Sequence, residues 1–151
     1  MLKLSHLLAE AGIPRSSTIV MRHRPWEPKF RRVFSSVVRN RPDLLDAYQR
    51  TQTVQAESAM ARASHVVSCI GEKSKEATLI GVFRITGFEA VDQREQLLLP
   101  ENQELASLGT QWDESRLRQI LRFDLLRLHE FADYEFRLIL GWPGLERSWY
   151  R

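Results

Sequence analysis

The stretch VMRHRPWEPKFRRVF, residues 20–34, contains the side chains with the clearest chemical use. Five of them are Arg or Lys, one is a histidine and one is the indole of Trp26. Guanidinium and ammonium groups contact phosphates, and an indole stacks on a nucleobase. The combination is typical of a nucleic-acid-binding surface, and a solvated basic surface without a ligand is the alternative.

The net charge of +3 conceals an uneven distribution along the chain. Residues 1–50 hold ten Lys or Arg against four Asp or Glu, whereas residues 51–151 hold twelve against fifteen. Within residues 15–41, eight cations are opposed only by Glu27. Segregated positive charge is the expected footprint of a phosphate-binding face. We therefore expect phosphate contacts from Arg22, Arg24, Lys29, Arg32 and Arg39.

Two further groups of side chains could recognise a base. Trp26 and Trp142 each stand beside a proline, in segments that turn residues mark as loops. Core packing explains indoles on loops poorly, although Trp142 covering the open end of a sheet is an equal alternative. The segment YQRTQTVQ, which begins at Tyr48, places a phenol and three amides at near-helical spacing. An amide donates and accepts simultaneously, which suits the edge of a base, and a polar helix surface is the alternative.

Residues with catalytic or metal-binding potential form no recognisable constellation. The four histidines lack metal-ligand spacing, and Cys69, as the single cysteine, cannot form an internal disulfide. Its apolar neighbours predict a buried, unreactive thiol. Carboxylates of the second half, such as Asp113 and Glu114 or those between 124 and 135, would be the ligands of a metal-dependent nuclease or nucleotide-processing enzyme, which is the enzymatic alternative. We otherwise predict no catalytic residue, metal site or cofactor.

Helices and strands alternate along the chain, and these elements must position the side chains that could bind a ligand. Leucines at helical spacing predict a short N-terminal helix that ends at Gly12. β-branched residues predict a first strand at 17–22, and an apolar face predicts a helix at 29–40 with Phe30, Val33, Phe34 and Val37 in the core. Pro42 suits the first position of the next helix.

The second half of the chain carries the strongest strand signals. Apolar runs at 65–71 and 77–88, joined by a polar link, predict a hairpin. Gly81, inside the second run, predicts a bulge or the close approach of another group. A short helix is expected after Pro100, and strands at 119–126 and 136–142.

These elements predict one α+β domain spanning residues 1–151, with a small curled sheet, mixed or antiparallel, and flanking helices. No apolar run approaches the length of a membrane span. The N-terminus is too short, and at Glu10 too acidic, for a secretory signal. The lone cysteine gives no sign of an oxidising compartment. We therefore expect a cytoplasmic protein with no membrane partner.

The order of four motifs resembles the N-terminal module of bacterial GIY-YIG-type nuclease family proteins. The motifs are RHRPWEPKFRRVF, RPDLLDAYQRTQ, VVSCIGEKSKEATLIGVFRI and GWPGLERSWYR, and the match extends from about residue 19 to residue 151. The Gly-Ile-Tyr and Tyr-Ile-Gly catalytic motifs are absent from the sequence. The resemblance implies a fold similar to the PUA superfamily, of EVE-like pseudo-barrel type, in which an aromatic pocket accepts a flipped and often modified base.

The resemblance also implies roles for particular residues and partners. Where its motifs bring polar and aromatic groups together, it places a base pocket formed by Trp26, Tyr48, Gln52, Ser68 and Trp142. The implied function is the specificity domain of a modification-dependent restriction system, which binds double-stranded DNA while a separate nuclease domain cuts. The 151 residues are then a stand-alone reading domain or the N-terminal part of a longer nuclease, with no enzymatic activity of their own. RNA binding is the remaining alternative, because PUA-like domains also serve RNA.

Overall fold

The computed structural model describes residues 3–23, 40–53, 62–71, 75–108, 120–141 and 148–150. The helices of these residues are α1 (Leu4–Glu10), α2 (Pro42–Arg50), α3 (Gln93–Leu97) and α4 (Pro100–Ser107). Short 3₁₀ helices span Arg15–Ser17 and His129–Tyr134. The strands are β1 (Thr18–His23), β2 (Thr51–Thr53), β3 (His65–Ile70), β4 (Glu76–Val91), β5 (Ile120–Arg127), β6 (Leu138–Gly141) and β7 (Ser148–Tyr150). The expected helix at 29–40 lies outside the described residues.

The described strands form one mixed sheet in the order β1-β3-β4-β5-β2, with β6 pairing β4 and β7. The β1–β3 pair is parallel, whereas β2–β5, β3–β4, β4–β6 and β6–β7 are antiparallel. Helices accompany the sheet, so the predicted α+β class is confirmed. The sheet is not closed, because the described part of β1 pairs only with β3 and that of β2 only with β5.

Contacts divide the chain into two compact units. The first consists of Met1–Arg24, Arg62–Thr86 and Leu125–Arg151, and the second of Pro25–Ala61 and Gly87–Asp124. The long strand β4 contributes its first eleven residues to one unit and its last five to the other.

The core of the first unit is built by α1 and the central strands. Leu4, Leu7 and Leu8 are the buried residues of α1, and they share one cluster with buried side chains of β3, β4 and β6. Burying a leucine stabilises the fold by about 1.5–3 kcal/mol. The helix ends at Glu10, and Gly12 follows it with a φ of +71°, a left-handed conformation that glycine adopts without strain. The predicted N-terminal helix and its apolar face are confirmed.

The predicted hairpin is formed by β3 and β4. Five of the six residues of β3 are buried, because this strand lies between β1 and β4 and both of its faces are covered. The register shifts between Ser68 and Cys69, opposite Gly81, which is the irregularity that a glycine within a strand predicts. A side chain also approaches this glycine: the guanidinium of Arg127 donates to the carbonyl of Ile80 at 3.0 Å. Cys69 is buried as expected, and burial raises the pKa of its thiol.

The second unit contains α2, α3 and α4 in its described part. Leu44 and Leu45 are buried on α2, which begins at Pro42 as predicted. Arg41, just before α2, donates to carboxylate oxygens of Asp43 at 2.9 Å and of Glu104 at 2.7 Å, and the second bond ties the start of α2 to α4. The expected helix after Pro100 is confirmed as α4. No helix among the described residues combines the length and apolarity needed to cross a membrane.

Candidate functional site

The end of β1, residues 20–23, is the described part of the basic stretch 20–34. There His23 Nε2 lies 3.1 Å from the hydroxyl of Ser68 on β3, and the two side chains are 8% and 0% exposed. Burial lowers the pKa of His23 from its usual value to about 4, because desolvation disfavours the imidazolium. The carbonyl of His23 accepts from the Gly71 amide at 2.8 Å. His23 therefore anchors the strand as a neutral core residue at pH 7.

Arg22 lies one position earlier on β1 and is half-buried. Its Nη2 donates to the backbone carbonyl of Glu76 at 3.0 Å. The guanidinium also covers Gly71, where an added Cβ would overlap it. One nitrogen of this predicted phosphate ligand is thus engaged with the backbone, and the side chain helps to fix the start of β4.

The second unit contains a cavity of about 420 Å³ between α2, the corner from α3 to α4, and β5. Pockets that bind small molecules commonly have volumes of about 300–1,000 Å³. The described lining includes four carboxylates and two guanidinium groups.

Ion pairs at the cavity set its electrostatics. Asp43 hydrogen-bonds Arg41, and this bond lowers the pKa of the Asp43 carboxyl. Arg122 on β5 is paired with Glu89 of β4. A carboxylate and a guanidinium of the lining are therefore already held by neighbours. Among the described lining residues, Asp46 and Asp124 also interact with other groups, so most of the charge of this lining is already engaged within the protein.

Two amide side chains form the most deeply buried polar part of this lining. Gln96 on α3 is 6% exposed and Asn102 on α4 is 7% exposed. The Nδ2 of Asn102 donates to the backbone carbonyl of Gln96 at 2.8 Å, which fixes the corner between the two helices. Neither residue is predicted from the sequence, because amides within the polar stretch REQLLLPENQE are typical of a solvated surface.

The residues predicted for the base pocket are placed as follows. Tyr48 is half-buried on α2, and the backbone of Gln52 pairs with Leu121 in the β2–β5 ladder. Ser68 is fully buried in the first unit, where its hydroxyl meets His23. This placement makes Ser68 a contact between strands. Trp26 and Trp142 lie outside the described residues.

Of the predicted phosphate ligands, Arg22 alone is among the described residues. Arg24, Lys29, Arg32 and Arg39 lie outside them. Within the described ranges, no three His, Cys, Asp or Glu side chains are grouped so that they could hold a metal ion. Asp113 and Glu114, named for the enzymatic alternative, also lie outside.

Comparisons of the chain with protein-family models, with curated proteins and with solved structures give no match.

Proposed function

We propose that this chain binds nucleic acid and reads one base of a DNA duplex. The observation that carries the proposal is the segregation of charge, since residues 15–41 hold eight cations and a single acid. A chain with a net charge of only +3 that concentrates its cations in one short segment provides a local surface for phosphates. The remaining residues carry a net negative charge, so the excess of positive charge is confined to this segment.

The described elements on either side of residues 24–39 support the proposal. On one side β1 ends at His23, which is held by Ser68 and Gly71. On the other side, α2 is preceded by Arg41, which is bonded to Asp43 and Glu104. A residue that is already ordered at the edge of a binding segment loses less conformational entropy when its neighbours contact a ligand.

We further propose that specificity comes from a base rotated out of the duplex. Rotation costs a few kcal/mol in stacking and pairing. An indole such as Trp26 or Trp142 would offset this cost by stacking, which contributes about 1–3 kcal/mol per base. Phosphate contacts would position the duplex, and contacts to the extruded base would discriminate.

In this proposal the chain is the specificity domain of a modification-dependent restriction system in the bacterial cytoplasm. It resembles the reading module of GIY-YIG-type nuclease family proteins, and cutting is assigned to a separate nuclease domain. The base read is a modified one. The chain itself would bind without turnover.

The experiment is a titration of duplex DNA with the purified chain at several salt concentrations. If five cations contact phosphates, log K falls with log [salt] with a slope of about −0.9 for each phosphate neutralised. Absence of binding at low salt, or binding that does not depend on salt, would overturn the proposal. Mg²⁺-dependent nicking of the duplex would instead favour the enzymatic alternative.

A further inference from the structure

Ser17, Ser64 and His65 form a hydrogen-bonded cluster in the first unit, where β1 and β3 begin side by side. The Oγ of Ser64 lies 2.7 Å from Nδ1 of His65 and 2.8 Å from Oγ of Ser17. The backbone fixes this position, because the Ser64 amide donates to the Ser17 carbonyl and the Ile85 amide donates to the Ser64 carbonyl, both at 2.8 Å. All three residues of the cluster are half-buried, so part of each is open to solvent.

The lengths of these contacts indicate which atom takes the proton of the Ser64 hydroxyl. A hydroxyl has one proton to donate, and Nδ1 of His65 at 2.7 Å is a closer acceptor than the Ser17 carbonyl at 3.3 Å. The Ser17 hydroxyl then donates to Ser64 Oγ at 2.8 Å rather than to the Pro14 carbonyl at 3.5 Å. A hydrogen bond accepted by Oγ stabilises the negative charge that develops there when the proton leaves. Ser64 therefore has the arrangement of a nucleophile beside a base.

Two charged side chains face the imidazole of His65. Arg84 is its partner in the β3–β4 ladder, Glu130 belongs to the 3₁₀ helix His129–Tyr134, and both are exposed. Burial lowers the pKa of His65, the charge of Arg84 lowers this pKa further, and the charge of Glu130 opposes the shift. His65 is thus neutral at pH 7, the state in which Nδ1 can take a proton. Once it has done so, the carboxylate of Glu130 stabilises the imidazolium.

We propose that this chain has an activity beyond the reading of DNA, in which Ser64 accepts the acyl group of a carboxylic ester and His65 is its general base. Oγ attacks the carbonyl carbon of the ester while its proton passes to Nδ1, and the guanidinium of Arg84 supplies positive charge for the oxyanion of the tetrahedral intermediate. The ester C–O bond then breaks, the proton moves from Nδ1 to the departing alkoxide, and Ser64 is left acylated. Water attacks the acyl group by the same route, which releases the carboxylic acid and restores the Ser64 hydroxyl.

The first test treats the full chain with a fluorophosphonate, a probe of activated serines. Oγ bonds to phosphorus, fluoride leaves, and the hydroxyl proton passes to His65. Peptide mapping by mass spectrometry compares Ser64 with Ser107, an exposed serine of α4 whose hydroxyl donates to the Glu104 carbonyl at 2.6 Å. We expect Ser64 to be labelled at least about 100-fold faster, because a positioned general base contributes about 10²–10⁴ in rate. Labelling at the rate of Ser107, or no labelling, would overturn the proposal.

A second probe, p-nitrophenyl acetate, tests the assignment to esters. After the reaction is quenched in acid, Ser64 should carry an acetyl group, and p-nitrophenolate should have been released. A chain that reacts with the fluorophosphonate and is never acetylated at Ser64 would contradict this assignment. Neither probe requires a substitution, so both results are independent of whether a variant folds.

A pair of variants tests the role of the base. His65→Gln keeps a side chain that can accept from Ser64 and removes the group that can take its proton, so labelling of Ser64 should slow by about 100-fold. His6→Gln makes the same change at an exposed position of α1 and should be labelled as the wild type is. If folded His65→Gln is labelled at the wild-type rate, His65 is not the base.

The pH profile separates a base from a contact that only joins β1 to β3. The labelling rate of Ser64 should rise with a midpoint below pH 6.5, the usual pKa of histidine, because burial and Arg84 outweigh Glu130. Ser107 has no such base, so its rate should continue to rise in alkaline solution as more of the hydroxyl ionises. If Ser64 shows the profile of Ser107, its contact with His65 is structural and the proposal is wrong.

Discussion

The imidazole of His23 and the hydroxyl of Ser68 meet at 3.1 Å across the parallel pair β1–β3, and both side chains are buried. The contact joins the last residue of β1 to the strand beside it, where the register of β3 against β4 shifts. Because burial holds His23 neutral, its protonation at low pH should destabilise β1. This strand leads into the basic segment, residues 24–39.

The first prediction concerns that dependence on pH. The pKa of His23 is lowered from 6.5 to about 4, so the unfolded chain binds a proton as the pH falls through 6.5 while the folded chain does not. The free energy of unfolding should therefore decrease between pH 6.5 and pH 4. The contribution of His23 is about 3 kcal/mol, present in full above pH 6.5 and lost by pH 4.

Urea unfolding of wild type and His23→Gln at about pH 7.5, 5.5 and 4.5 measures this contribution as a difference, which removes the titration of the carboxylates. The advantage of the wild type should shrink as the pH falls. A difference between His23→Gln and wild type that stays constant with pH would show that His23 is not held neutral by burial.

The second prediction concerns the close approach of Arg127 to β4. A Cβ at position 81 would lie 2.8 Å from Nη1 of Arg127 and 2.9 Å from the ring of Phe83, with the guanidinium 4.7 Å from the centre of that ring. Arg127 cannot move freely, because it also donates to Glu135 at 2.8 Å. Gly81→Ala should therefore lower the free energy of unfolding by about 1–3 kcal/mol.

Gly87, further along the same strand, provides a matched control. There an added Cβ would meet Asp124 Oδ2 at 3.5 Å, an ordinary contact. Alanine is also entropically favoured over glycine within a strand, so Gly87→Ala should be neutral or stabilising by up to about 1 kcal/mol. Equal effects of the two substitutions on the urea midpoint would refute the close approach at Gly81.

The third prediction concerns the indoles. If Trp26 or Trp142 stacks on the extruded base, replacing that residue with alanine should remove the preference for a modified over a plain duplex. The salt-dependent, non-specific affinity should survive, because phosphate contacts remain. The quantity to measure is the ratio of the two affinities at one salt concentration. If both folded variants keep the wild-type ratio, neither indole forms the wall of the pocket.

The sequence predicts those parts of the fold in which the spacing of apolar residues matches the residues that are buried. α1 has a leucine face and a terminating glycine, and the β3–β4 hairpin has two apolar runs around a polar link. Gly81 marked an irregularity correctly. The identity of the approaching group could not be predicted, because Arg127 is 46 residues away and only tertiary structure brings it there.

The candidate site is harder to predict for a physical reason. Gln96 is a polar residue in a short helix, which by pattern alone belongs on the surface. It is nevertheless buried, and Asn102 of α4 bonds to its backbone carbonyl, which are tertiary features that the sequence pattern does not show. The boundary between the two units falls between Thr86 and Gly87, inside continuous β4, so no linker composition marks it. Ser68 likewise belongs to a buried strand pair. Its apolar neighbours in the sequence indicate this burial, whereas its own hydroxyl does not.

The claim that the basic segment binds phosphates is tested most directly by reversing two of its charges. The double variant Arg24→Glu, Arg32→Glu is compared with the double variant Arg84→Glu, Arg94→Glu. The second makes the same change in net charge at two exposed cations, one on β4 and one on α3. The first pair should weaken binding to all duplex sequences alike and reduce the salt slope by about 0.9 for each phosphate that is no longer neutralised, while the second pair should change affinity little. If the folded Arg24→Glu, Arg32→Glu variant binds duplex DNA with the affinity and salt slope of the wild type, the basic segment is not the phosphate-binding surface.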